Sequence, residues 1–157
     1  MRYQLGFLGA GNMAEAIAVA AIDNGIVPAD AIIAADPVDA RRAVFADLGI
    51  EVVDDNAAVI AQAEQVLLAI KPQTLAQVGA QLASVDADRQ VVMSIMAGIG
   101  SGKIVDAIGR PARVVRIMPN TPLMVGCGLA GVALGEHARA VDGALAMRLF
   151  GAAGRAI

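Results

Sequence analysis

Residues 4–17 read Gln4-Leu5-Gly6-Phe7-Leu8-Gly9-Ala10-Gly11-Asn12-Met13-Ala14-Glu15-Ala16-Ile17, an apolar strand, a glycine turn and an apolar helix in immediate succession. The spacing Gly9-x-Gly11-x-x-Ala14 gives each small residue a task. Gly9 permits the tight turn out of the strand, Gly11 lets a pyrophosphate approach the backbone, and Ala14 lets the helix lie close to the strand. An anion then sits on the unpaired N–H groups of the helix N-terminus, where the helix dipole favours negative charge. Glycines placed for packing alone would give the same letters, but here the turn has the strand before it and the helix after it that nucleotide binding requires.

The alternation begun there continues along the chain. Strands are predicted at Leu5–Leu8, Ile32–Ala35, Glu51–Val53, Gln65–Ile70, Gln90–Ile95, Arg113–Ile117 and Gly128–Leu134. Helices are predicted at Met13–Asn24, Asp39–Leu48, Asn56–Ala63, Thr74–Leu82, Ser101–Ile108 and Ala138–Phe150, with Asp54-Asp55-Asn56 as a capping cluster and a further strand beginning near Gly154. Strands and helices alternating at this length imply βαβ units, hence an α/β fold with a doubly wound, mostly parallel sheet. Ligands of such sheets bind outside the carboxyl ends of the strands. The most unusual residues of the chain fall at those ends: Gly9–Met13, Asp36, Asn56, Lys71-Pro72-Gln73, Ala97-Gly98 and Met118-Pro119-Asn120-Thr121-Pro122. Strand-end loops are rich in Gly, Pro and Asn for conformational reasons alone; that explains any one of these positions better than all of them together.

Composition agrees with a buried sheet. The 157 residues are 57% hydrophobic but only 3% aromatic, with no Trp, so the core is built from Ala, Val, Ile, Leu and Met. A mean hydropathy of +0.64 points to a buried sheet or to a surface meant to meet another domain or subunit. The net charge of −3 and the lack of a basic tract give no basis for nucleic-acid binding. No apolar run spans a bilayer and no signal peptide is recognisable, so no membrane partner is expected. With one Cys and one His the chain builds neither a disulfide nor a zinc site; no metal is expected, and the cytoplasm is the expected compartment.

Asp36 ends the second strand, where an acid bonds the ribose hydroxyls of NAD and repels a 2′-phosphate. Arg41 and Arg42 read equally as 2′-phosphate ligands, which would suit NADP, or as a solvated helix face. Lys71, directly after the apolar run Val66–Ile70, reads as an attractor of cofactor phosphate or substrate carboxylate, or as a lysine that merely snorkels to water. His137 reads as a surface residue and Cys127 as a small packing residue. Two prolines flank Asn120-Thr121, making a rigid loop that presents one amide and one hydroxyl.

Four stretches together, Gly6–Ile17, Val66–Gln73, Ser94–Ile99 and Arg116–Pro122, resemble the N-terminal domain of pyrroline-5-carboxylate reductase, in the family's order and spacing across essentially the whole chain. The resemblance implies reduction of the cyclic imine 1-pyrroline-5-carboxylate to L-proline with NADPH or NADH, a step of proline biosynthesis. It implies that Gly9, Ala10, Gly11, Asn12 and Met13 hold the pyrophosphate and that Asn56 reaches the adenosine end. Ala69, Ile70, Lys71 and Pro72, with Ile95, Met96 and Ala97, would line the path to the nicotinamide, and Asn120 and Thr121 would border the substrate. Ala35-Asp36-Pro37 departs from the neutral or basic residue many members carry there, which leaves NAD against NADP open. Residues 1–157 are read as the NAD(P)-binding domain alone. The family's helical domain, which forms the dimer and completes the substrate pocket, is expected to be missing, so that this chain binds cofactor but turns over little, while the full-length form is a homo-oligomer. Two other readings stand beside this one: a β-hydroxyacid or F420-linked dehydrogenase, and a nucleotide-binding module without catalysis.

Overall fold

The computed structural model describes all 157 residues. Six strands lie parallel: β1 (Tyr3–Leu8), β2 (Ile32–Ala35), β3 (Glu51–Val53), β4 (Ala63–Leu68), β5 (Val91–Ser94) and β6 (Arg113–Pro119). β7 (Gly128–Leu134) returns antiparallel on β6, and β8 (Gly154–Ala156) pairs parallel with β7. The sheet order is β3-β2-β1-β4-β5-β6-β7-β8. Its first six strands have the order of a doubly wound dinucleotide-binding sheet, with the switch point between β1 and β4.

The two faces follow from the alternation within each strand. Ile32 and Ala34 of β2 join one core with Ile17 of α1 (Asn12–Asp23), Phe45 of α2 (Asp39–Asp47) and Phe150 of α6 (Ala144–Ala152). Ile33 and Ala35 join the other, with Ile60 of α3 (Asn56–Gln62), Leu82 of α4 (Leu75–Leu82) and Ile104 of α5 (Ser101–Ile108). Phe7 meets Phe45 edge-on at 5.8 Å, one of the few aromatic contacts available to so aliphatic a core.

Some boundaries differ from the sequence pattern, each for a local reason. β4 starts at Ala63, straight from α3, without the loop expected before Gln65. Buried Gln90 makes this junction possible: its Nε2 donates to the carbonyls of Ile60 at 2.7 Å and Ala63 at 2.6 Å, and its Oε1 accepts from the Asp86 N–H. The last helix starts at Ala144 rather than Ala138 because Ala140–Gly143 winds as a 3-10 turn around Asp142. The Asp142 carboxylate is buried, accepts the Arg139 N–H at 2.8 Å and pairs with Arg113 of β6 at 3.1 Å. β6 runs on to Pro119 because β7 pairs with it to that point. No helix is long and apolar enough to cross a membrane.

Candidate functional site

At the carboxyl end of β1 the chain turns sharply. The Gly9 N–H donates to the Ala35 carbonyl at 2.8 Å, and Gly9 adopts φ +95°; a Cβ there would stand 2.7 Å from the Ala69 carbonyl oxygen. The chain itself therefore demands glycine at this position. Gly11 differs. Its φ of −71° suits any residue, and a Cβ on it would meet nothing within 4 Å. It caps α1 without a side-chain bond, and the N–H groups of Gly11, Asn12 and Met13 have no acceptor in the chain. An exposed helix start with free donors and open space above a glycine is a cradle for an anion.

Both backbone groups of Ala10, between these glycines, are held. Its N–H donates to Asp36 Oδ2 at 2.8 Å, and its carbonyl accepts from Arg41 Nε at 2.6 Å. Arg41 also pairs with Glu15 at 2.7 Å. Asp36 Oδ1 accepts the Val38 N–H, while Arg42 donates to the Asp36 carbonyl and pairs with Asp39. Arg41 and Arg42 are thus partnered within the chain rather than a freely solvated face. The clamp is invisible in the sequence, where nothing relates Arg41 to Ala10.

The expected residues gather in two adjoining cavities. One, of about 490 Å³, is lined by Gly9, Gly11, Asp36, Asn56 and the segment Ala69-Ile70-Lys71, with Asp54, Thr74 and Gln77 adding polar surface. The other, of about 300 Å³, is mostly apolar; it is lined by Met13, Ile95, Met96, Ala97, Pro72, Met118, Pro119 and again Ala69-Ile70-Lys71. A chamber carrying Asp36, Asp54, Asn56 and Lys71 and a second one lined chiefly by apolar residues, sharing a wall beside the glycine turn, suit the two halves of a dinucleotide. Asn56 Nδ2 donates to Gln81 Oε1 at 2.9 Å, and Asp55 caps α3 by accepting the Ala57 N–H. Lys71 is exposed on the shared wall and forms no ion pair.

The Ile95–Ala97 loop is braced from two sides. Buried Ser94 accepts the Met96 N–H at 3.2 Å, and Arg116 Nε donates to the Ile99 carbonyl at 2.9 Å. Arg116 was legible only as part of a motif, not as the brace it is.

Four of the expected residues line neither cavity. Ala10 is buried in the clamp, and Asn12 lines a separate cleft with Glu15 and Leu123. Asn120 is exposed, and its Oδ1 accepts the Leu129 N–H at 2.8 Å, tying the loop to β7. Thr121 is exposed and opens the 3-10 turn Thr121–Val125. Cys127, expected as packing, is exposed.

Strand order, glycine turn and paired cavities define a dinucleotide-binding α/β domain. The family described as "NADP oxidoreductase coenzyme F420-dependent" matches residues 4–98, and the chain belongs to that family. The chain is 39% identical over 153 residues to pyrroline-5-carboxylate reductase of Haemophilus influenzae, a match covering 98% of this chain and 56% of that protein. Among solved structures it resembles pyrroline-5-carboxylate reductase from Coxiella burnetii, with a TM-score of 0.91, 29% identity and coverage of 100% of this chain and 58% of that one. The NADP-bound pyrroline carboxylate reductase of Plasmodium falciparum shares the fold at a TM-score of 0.81 and 21% identity, over 99% of this chain and 56% of that one. The chain spans a little over half the length of these relatives.

Proposed function

We propose that this chain is the nicotinamide-nucleotide-binding part of a pyrroline-5-carboxylate reductase, an enzyme that reduces 1-pyrroline-5-carboxylate to L-proline with NADPH or NADH. The observation that carries the nucleotide half of this reading is Gly11, a glycine that neither backbone geometry nor packing requires, at the start of a helix whose first N–H groups are unpaired. Identity to the Haemophilus enzyme across 98% of the chain supports the reductase half, since it extends through the Pro119–Pro122 loop beyond the residues the family description covers.

A bound dihydronicotinamide supplies the hydride for the imine carbon while a proton reaches the nitrogen. The residues of this chain bind and orient. Gly11, Asn12 and Met13 N–H groups take the pyrophosphate, and Lys71 adds positive charge on the shared wall. Asp36 and Asn56 face the adenosine end; Ile95, Met96, Ala97 and Met118 offer the nicotinamide an apolar wall. Asn120 holds the substrate-side loop in place against β7, and Thr121 offers its hydroxyl to the substrate. Residues 1–157 serve as one NAD(P)-binding domain, and a second domain of a homo-oligomer completes the substrate pocket and proton delivery. A compartment suited to the exposed Cys127 thiol is the cytoplasm.

The test is oxidation of NADH or NADPH on addition of 1-pyrroline-5-carboxylate by the enzyme containing this domain, with reduction of NAD+ or NADP+ by a β-hydroxyacid or by reduced F420 assayed in parallel. Imine-dependent oxidation is the expected result. Turnover of the hydroxyacid or of F420 instead would assign the site to the other branch of the family. The 157-residue chain by itself is expected to bind nucleotide and to show no imine-dependent oxidation, because hydride transfer needs donor and acceptor held within about 3–3.5 Å in a closed site.

A further inference from the structure

We infer that Asp36 sets this site to prefer NADH over NADPH and that Arg41, the obvious candidate to receive a 2′-phosphate, instead positions the glycine turn. The inference rests on the nucleotide reading above and concerns which nucleotide the site takes. Asp36 lines the polar cavity at the end of β2, where the adenosine ribose lies against such sheets. Its two oxygens each accept one backbone N–H, from Ala10 and Val38, which leaves acceptor capacity for a ribose hydroxyl. A phosphate in place of that hydroxyl would bring two negative charges against the carboxylate.

NADP sites offset such charge with arginine, and two arginines stand close by, yet neither lines the cavity. Arg41 is committed to the Ala10 carbonyl and to Glu15, and Arg42 to the Asp36 carbonyl and to Asp39. Arg41 is matched by the Glu15 carboxylate, whereas the Asp36 carboxylate has only backbone N–H partners. Turning Arg41 outward would leave the Ala10 carbonyl and Glu15 without their partner and release the turn on which the pyrophosphate rests. Lys71, the one cation on the cavity wall, belongs to the segment shared with the apolar chamber, away from the end of β2.

The experiment is equilibrium titration of NADH and NADPH, by nucleotide fluorescence, on the wild-type protein and on Asp36→Asn and Arg41→Gln, with a thermal melt of each. Because the readout is the ratio of two affinities within one protein, a loosened turn affects both nucleotides and cancels. The wild type is expected to bind NADH about tenfold or more tightly than NADPH. Asp36→Asn keeps one oxygen acceptor, enough for the Ala10 or the Val38 N–H but not both, removes the charge and should close most of that gap by strengthening NADPH. Arg41→Gln should weaken both nucleotides alike. Equal or tighter NADPH binding by the wild type, an unchanged ratio in Asp36→Asn, or a loss confined to NADPH in Arg41→Gln would each overturn the inference while leaving the nucleotide reading intact. Binding of neither nucleotide overturns both.

Discussion

Gly9 and Gly11 stand two positions apart and answer to different demands. Gly9 is glycine because of the protein: its φ of +95° and the Ala69 carbonyl beside it exclude a side chain. Gly9→Ala should cost about 2–4 kcal/mol of stability through backbone strain and the carbonyl contact, measured by denaturant unfolding. Gly11→Ala should leave stability within about 0.5 kcal/mol, since nothing lies within 4 Å of the added methyl. The same methyl should lower nucleotide affinity about tenfold or more, because it occupies the approach to the free N–H groups. If Gly11→Ala binds as tightly as the wild type, the anion does not approach where we place it. The sequence spacing already named both glycines, but it assigned their tasks by analogy. Which one the chain needs for itself depends on Ala69, sixty positions away, and no local pattern carries that. Asn120 shows the converse. Its type and position were legible, yet its carbonyl serves Leu129 of β7 because the antiparallel return brings that N–H within 2.8 Å.

Among the elements, those whose limits are set by local chemistry were the most legible. β2, β3, α5 and β7 lie where the apolar runs and their flanking Gly, Asp or Ser residues place them. The ends set by tertiary contacts were not. The α3–β4 junction has no turn residues at all, and Gln90 of a distant segment does the work of a loop by taking up the Ile60 and Ala63 carbonyls. Gln90→Leu preserves volume but leaves both carbonyls, and the Asp86 N–H, without this partner. It should destabilise the protein by about 2–4 kcal/mol, as expected for buried backbone groups left unsatisfied. Amide hydrogen exchange should accelerate first in α3 and the start of β4. An unfolding midpoint equal to wild type would show that water or a backbone shift replaces the glutamine, and that the junction is held by packing alone. The 3-10 start of the last helix has the same kind of cause, the Asp142–Arg113 pair, and was hidden for the same reason.

Apolar surface is distributed unevenly over the whole molecule. Of the ten large hydrophobic side chains left exposed, eight fall at Met118 or beyond: Met118, Met124, Val125, Leu129, Leu134, Val141, Met147 and Ile157. The high mean hydropathy announced a surplus of apolar residues without locating it. The sheet order locates it, because these residues belong to β6, β7, α6, the turns between them and the residue after β8, at the end of the sheet that closes with β8. β8 adds an outer edge with no strand beyond it. Exposed apolar side chains next to an open strand edge favour association. The nucleotide cavities lie chiefly on β1, β2, β4 and β5 and share only Met118 and Pro119 with this region. Association and nucleotide binding should therefore separate. Sedimentation of the 157-residue chain should show mass rising with concentration. Val125→Asp with Val141→Asp, at the two most exposed of these positions, should shift the protein towards monomer. Their affinity for nucleotide should stay within about twofold of wild type, since neither side chain lines a cavity. A wild-type chain that sediments as a monomer at every concentration would mean that this end of the sheet is tolerated in water as it stands. A loss of nucleotide affinity in the double variant would mean instead that the two ends of the sheet are coupled through β6.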